Sequence, residues 1–401
     1  MTAEPLLLTG ARLVGRDGVT AEPRPVLLDG GTIRAIGDEA EARDGAGLAP
    51  RWIELDGLWL APGYIDLQVN GAAGHDITAN PETIWAVGES IAQTGVTAFV
   101  PTVVTAPRGT AEAAQAVLAA GPPAGYRGAT VLGLHIEGPF LSPLRNGAHD
   151  PALLRDPDPA FVEGWSRASG VAMATIAPEL AGALELIREL TGRGIVVSLG
   201  HSAATLEVGR AGIDAGARYA THLFNAMPPL GHRDPGLIAA LLADPRITVG
   251  TIPDTIHVHP AMLDLAWRIV GPDRFSVVTD AISALGMEHG TFLLGDREVT
   301  VDATGPRLGD GRLAGSVLTL DAAVRNLAVA TGCHPATAVV AATSVPAGVL
   351  GLTDRGRIAA GARASLTVLT PELEIVGTIV EGRIVAGSAA GLTAGLGAPA
   401  G

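Results

Sequence analysis

The chain changes its hydrophobic rhythm twice. Residues 6–60 alternate short apolar runs (6–8, 26–29, 33–36 and 52–60) with turns, of which Gly30-Gly31 is the clearest. Runs this short, broken by turn residues, predict a small antiparallel sheet. From Pro62 the pattern becomes strand then helix, repeated. Eight apolar runs, 64–69, 97–104, 130–136, 171–177, 194–199, 219–224, 247–252 and 275–279, alternate with helical stretches such as 81–94, 180–193, 206–215 and 235–243. That alternation predicts an α/β fold, a (β/α)8 TIM-like barrel. A doubly wound sheet would need a Gly-rich turn after its first strand, and no GxGxxG is present. Beyond the eighth run the pattern predicts a hairpin over 290–301 and helices over 319–331 and 335–343.

The end of the chain returns to the opening style. Runs 364–369, 375–380 and 383–385 read as strands, with Glu381-Gly382 as a hairpin turn. Neither terminal segment can bury a core alone. They are therefore expected to combine, residues 1–61 with 358–401, into one small β-sandwich flanking a barrel of 62–357. The Gly/Ala-rich tail 387–401 is expected to fray.

The barrel reading gives the polar residues at the run ends a meaning, because barrel active sites sit at the C-terminal ends of the strands. His201 follows the fifth run and His222 lies in the sixth, with one helix-forming stretch between them, closed by Gly216. Parallel neighbouring strands point their ends the same way, so two imidazoles converge at one rim. The third run leads into Glu137, the seventh into Asp254 and His257, and the eighth into Asp280. Singly, such groups can cap helices or satisfy backbone. Glu137, His201, His222 and Asp280 together would be costly to bury unpaired. One carboxylate and two histidines form a catalytic metal-ligand set with a position left for water. Asp280 then suits a general base that takes the water's proton.

Composition narrows the chemistry. Hydrophobic residues make up 47% and charged residues 17%, as in a globular enzyme. A formal net charge of −14 argues against nucleic acid or an anionic membrane surface as partner. An anionic substrate would need a local basic pocket. All 27 basic residues are arginines. Without lysine, Schiff-base chemistry, pyridoxal phosphate, a Walker-type loop and a carbamate-bridged metal pair are excluded. Cys333 is the one cysteine, so no intrachain disulfide forms. The opening Met-Thr-Ala-Glu-Pro lacks a basic signal region and no apolar run reaches spanning length, so a cytoplasmic location is expected.

Six blocks resemble the N-acetylglucosamine-6-phosphate deacetylases of the amidohydrolase superfamily. They are Asp66-x-Gln68-x-Asn70, His135-Ile-Glu-Gly-Pro-Phe, Gly200-His-Ser, Thr221-His-Leu-Phe-Asn-Ala-Met, Thr279-Asp-Ala and Leu313-Ala-Gly-Ser. The resemblance runs from Ala61-Pro-Gly-Tyr-Ile-Asp to Ala364-Ser-Leu-Thr-Val-Leu. It implies deacetylation of N-acetyl-D-glucosamine 6-phosphate, with Glu137, His201 and His222 on the metal and Asp280 as base, then acid. It implies that His149 polarises the acetyl carbonyl. It implies that Asn225, the Ala226 backbone, Arg233 and His257 hold the phosphate. Gly138 and the turn at Leu313 and Ala314 would line the acetyl and sugar pocket. A phosphate contact from a neighbouring subunit would make the protein a homodimer.

Many amidohydrolases hold a second metal on His-x-His where this chain has Gln68 and Asn70. Neutral amides are poor ligands, so a single divalent ion is expected, Zn2+ first, with Fe2+, Mn2+ or Co2+ as the other occupants. His149 can also be read as a loop histidine, and Arg233 as a partner of the adjacent Asp234. The family usually shows Ala-Asp-Gly before its histidine, where this chain has Pro253-Asp254-Thr255-Ile256-His257. His75, His259, His289 and Cys333 read as structural. Rival functions are a sister amidohydrolase, acting on N-acetylgalactosamine 6-phosphate or an N-acyl-amino acid, and a non-catalytic sugar-phosphate binder.

Overall fold

The structure, a computed structural model, describes residues 4–43 and 49–387. The expectation for the tail falls on 388–401, outside the described residues. Eight parallel strands form the barrel: β1 Tyr64–Val69, β2 Val96–Val104, β3 Leu134–Glu137, β4 Val171–Ile176, β5 Val196–Leu199, β6 Tyr219–Ala220, β7 Thr248–Thr251 and β8 Phe275–Val277. β2 to β8 pair in chain order and β1 pairs with β2. The ring is completed just past β8, where Asp280 N–H donates to the Gln68 carbonyl at 2.9 Å and Asn70 N–H donates to the Ala281 carbonyl at 2.8 Å. β1, β2 and β4 are buried along their whole lengths, as in a sheet covered on both faces.

Six strands, β3 to β8, are shorter than their apolar runs, and for two of them the cause is a local break. The run 130–136 breaks at Gly133, whose φ of 112° leaves Thr130–Val131 paired with β2 and β3 beginning at Leu134. In the run 219–224 only Tyr219–Ala220 is strand, and residues 221–226 turn sharply. The helix between β5 and β6, Leu206–Ala215, is capped by Thr205, whose hydroxyl accepts from Val208 N–H at 3.3 Å. Its small residues let it sit close: a side chain at Gly212 would meet Leu199 at 3.1 Å.

The terminal segments form two sheets. One orders Thr32–Ile36, Val26–Asp29, Leu6–Thr9 and Arg51–Glu54; the other orders Arg383–Ala386, Ile375–Val380, Leu366–Leu369, Trp59–Pro62, Arg12–Gly15 and Gly18–Val19. They share one apolar cluster that includes Leu6, Leu28, Leu60, Leu366 and Ile379. The expected all-antiparallel pairing is corrected at two places. Leu6–Thr9 runs parallel to Arg51–Glu54, and Arg12–Gly15 parallel to Trp59–Pro62. The run 52–60 is not one strand, because the turn at Asp56-Gly57 sends its halves into different sheets.

The predicted hairpin gains a third strand and becomes a flap of Gly290–Leu294, Arg297–Asp302 and Gly305–Arg307. Its own small core, with Leu294, Val299 and Leu308, packs on Val104 and Ile282 beside the C-terminal ends of β2 and β8. The helix Pro260–Val270 begins at His259, whose Nδ1 accepts from Ala261 N–H at 3.2 Å, which gives that histidine a capping role.

Candidate active site

Strand ends and tight turns bring the predicted residues to one rim. Gly200 lets β5 and β6 approach, since a Cβ there would lie 2.1 Å from the Thr221 methyl. The residues after Gly200 and Thr221 are His201 and His222. Both, and Asp280, take left-handed backbone conformations, with φ of 46°, 24° and 50°. Non-glycine residues avoid this region, and strain of this kind gathers where a side chain must be aimed.

The Nε2 atoms of His201 and His222 lie 3.0 Å apart. Glu137 Oε1 is 3.5 Å from His201 Nε2 and 3.2 Å from His222 Nε2. Two donors about 2.0–2.1 Å from a tetrahedral ion stand roughly 3.3 Å from each other, so this triangle fits one zinc-sized cation. His201 Nδ1–H donates to the Arg145 carbonyl at 3.0 Å, which leaves its Nε2 lone pair for a metal. Among the described residues these three are the group able to hold a metal ion.

Around the triangle the buried charges are held by neighbours. Burial opposes ionisation of Glu137, but hydrogen bonds to His201 and His222 keep its carboxyl well below the usual range. Burial, then the Glu137 charge, pushes Asp280 up, against the pull of His222 and a hydrogen bond from Asn70. Burial lowers His222, yet its hydrogen bond with Glu137 and that carboxylate's charge raise it overall. Burial, then the neighbouring His201, pushes His149 down to about 3, which favours its neutral imidazole form. Thr105 N–H donates to His149 Nδ1 at 3.2 Å. Thr105 Oγ1 lies closer, 2.8 Å from the same Nδ1; with the backbone N–H donating there, and the hydroxyl able to, the ring proton is left to Nε2, 3.7 Å from Glu137 Oε2. His149 lies on a loop, and that loop buries its ring at the cavity wall.

These groups open into a cavity of about 460 Å³. Glu137, His149, His201, His222, Asn225, Ala226, His257, Asp280 and Leu313 line it. Gly138 and Ala314 are buried behind the wall rather than in it. Arg233 is exposed and off the cavity of its own chain, and among the described residues it makes no ion pair with Asp234. His257 Nδ1 meets Asp254 Oδ2 at 2.6 Å, while Asp254 Oδ1 accepts the His257 and Ile256 N–H groups at 2.7 and 2.8 Å. Thr255 holds a left-handed φ of 68°, so the turn that favours glycine is made with threonine.

Sequence reasoning missed several wall residues: Arg145, Asn146, Leu294, Arg307 and Arg312. Arg145 and Asn146 carried a signal, standing in the loop that ends at His149. Arg307 ends the flap and Arg312 stands in the turn that follows it, where it donates to Asn146 Oδ1 at 3.1 Å and the Gly147 carbonyl at 2.6 Å, tying that turn to the loop. No local pattern marks that contact.

Residues 59–385 match the amidohydrolase family, and the chain belongs to it. Within that family it is similar to N-acetylglucosamine-6-phosphate deacetylases. The enzyme of that name from Bos taurus is 42% identical over 82% of this chain and 84% of its own length. An N-acetylgalactosamine-6-phosphate deacetylase from Escherichia coli O157:H7 is 39% identical over 82% of this chain and 88% of its own length. The structure of a Mycobacterium smegmatis N-acetyl-D-glucosamine-6-phosphate deacetylase mutant, in complex with N-acetyl-D-glucosamine-6-phosphate, superposes with a TM-score of 0.87 at 35% identity, covering 96% of this chain and all of that one.

Proposed function

We propose that this chain hydrolyses the acetamide of N-acetyl-D-glucosamine 6-phosphate, releasing acetate and D-glucosamine 6-phosphate. The observation that carries the reading is the convergence of Glu137, His201, His222 and Asp280, with the His149 Nε2–H, on one cavity. Glu137, His201 and His222 would hold a single divalent ion, zinc first. When bound, it supplies Lewis-acid activation of water and of the acetyl carbonyl. Asp280 takes a proton from the attacking water and returns it to the leaving amine nitrogen. His149 donates its Nε2 proton in a hydrogen bond to the acetyl oxygen as charge grows there.

Asn225, the Ala226 backbone and His257 would hold the 6-phosphate from the chain's own side. Arg233, exposed and not among the residues lining its own cavity, would reach the phosphate in the neighbouring subunit of a homodimer. A barrel over 62–357 and a sandwich from 1–61 and 358–401, working in the cytoplasm, complete the proposal. Among the described residues no helix is long and apolar enough to cross a membrane.

The galactosamine epimer is the second reading, favoured by the 39% identity to the Escherichia coli deacetylase. Acetate release from the two N-acetylhexosamine 6-phosphates, compared as kcat/KM, separates them. A higher value for the galactosamine substrate would overturn the first reading.

A further inference from the structure

Asp280 receives two amide donors on the same oxygen. Asn70 Nδ2 lies 2.7 Å and Gln68 Nε2 3.1 Å from its Oδ1. Both amides are fully buried, each 1% exposed. Their orientation follows from chemistry, because a carboxylate only accepts, so each amide turns its nitrogen to Asp280. The far end of Gln68 is fixed as well, since Thr221 Oγ1 donates to its Oε1 at 2.8 Å. The backbones interlock, with Asp280 N–H on the Gln68 carbonyl at 2.9 Å and Asn70 N–H on the Ala281 carbonyl at 2.8 Å.

Asn70 holds this place at a cost. Its Oδ1 is buried and has no hydrogen-bond partner among the described residues. A buried acceptor left empty weakens the fold, and the Nδ2 hydrogen bond to the Asp280 carboxylate offsets that cost. At the wall of the cavity, the end of Asn70 that is engaged is its nitrogen.

We propose that Asn70, together with Gln68, is a positioning residue that reserves Oδ2 of Asp280 for proton transfer. With Oδ1 occupied by two N–H donors, the carboxylate plane cannot swing, and one oxygen alone is free to take a proton. This rests on the hydrolysis assigned above. Oδ2 accepts the proton of the attacking water as the O–C bond forms. It passes that proton to the amine nitrogen as the C–N bond breaks, and Asp280 returns to its starting charge.

The test compares Asn70→Ala, Asn70→Ser, Asn70→Leu, Asp280→Asn and the Asn70→Ala/Asp280→Asn double variant for kcat, KM, metal content and Tm. A hydrogen bond to a charged group corresponds to about a ten- to hundredfold effect. Asn70→Ala is expected to lose that factor in kcat, with KM within about threefold and metal content unchanged. Asn70→Leu is expected to lose the same factor in kcat with metal content unchanged and a cooperative thermal transition retained, an arm read without substrate. In the Asp280→Asn background, adding Asn70→Ala should change residual turnover less than about twofold, because two residues acting through one proton transfer do not add. Asn70→Ser, the smallest change in shape and polarity, stands in for any variant that fails to fold. Turnover of Asn70→Ala within threefold of wild type would overturn the proposal. So would a fully additive double variant, or a Tm and metal content that fall together in every Asn70 variant. If the wild-type protein released no acetate from either hexosamine 6-phosphate, the assigned reaction would fall instead. The cycle would then be measured on the N-acyl substrate that the wild type does cleave.

Discussion

His201 Nε2 and His222 Nε2 stand 3.0 Å apart although the residues leave two different strands. The approach depends on Gly200, where any side chain would strike Thr221. Gly200→Ala should therefore spread the two imidazoles and weaken metal retention before it harms the barrel. The check is metal content after dialysis beside the Tm of the metal-free proteins, with loss of metal and a Tm lowered by overpacking but a cooperative transition retained as the expected outcome.

Metal stoichiometry follows from the same geometry. Gln68 and Asn70 direct amide nitrogens at carboxylates, and those nitrogens are donors with no lone pair for a cation. One divalent ion per chain is expected, most readily zinc, lost to chelator together with activity. Two ions per chain at full occupancy in metal analysis would contradict this.

Asp280→Asn should keep metal and substrate binding and lose about a thousandfold or more in kcat, since an amide neither takes nor returns the proton. Retention of a tenth of normal kcat would remove Asp280 from the base role.

His149→Ala should cost about 10²–10³ in kcat, the range for one lost oxyanion donor, with a smaller change in KM. The tautomer is set by the Thr105 backbone N–H at 3.2 Å, so the donor is Nε2–H. An effect confined to KM would mean that His149 binds the ground state only.

Much of the site was legible because barrel ligands are short-range features. Glu137, His201 and Asp280 each follow an apolar run and His222 lies within one, so the runs mark the rim where these residues gather. The contacts that sequence could not give are those made across the chain. Asn70 meets Asp280 over a separation of 210 residues. Arg312 reaches the His149 loop from the turn after a flap whose third strand, Gly305–Arg307, has no hydrophobic rhythm of its own. Arg233 looked like a wall residue because it follows His222 in a loop on the same rim, yet the loop turns its side chain to solvent. The two parallel pairings in the terminal sheets escaped for a related reason. Alternation reports which face of a strand is buried and is silent on its neighbour's direction.

Arg233 gives the prediction that joins chemistry to assembly. Arg233→Ala should raise KM for the phosphorylated sugar about ten- to a hundredfold, the worth of a charged hydrogen bond, and leave the unphosphorylated sugar nearly unchanged. Because the residue is exposed and off its own cavity, mixing Arg233→Ala with Asp280→Asn subunits should restore low-KM turnover in hybrid dimers. Equal losses on both substrates would assign Arg233 a structural part instead.

The most direct measurement is acetate released by the purified, metal-loaded protein from N-acetyl-D-glucosamine with and without its 6-phosphate, with Asp280→Asn as control. Rapid release from the 6-phosphate is expected, with kcat/KM at least about tenfold lower without the phosphate, as for a lost charged contact, and almost none from the variant. No release from the 6-phosphate, or release that Asp280→Asn matches, would contradict it.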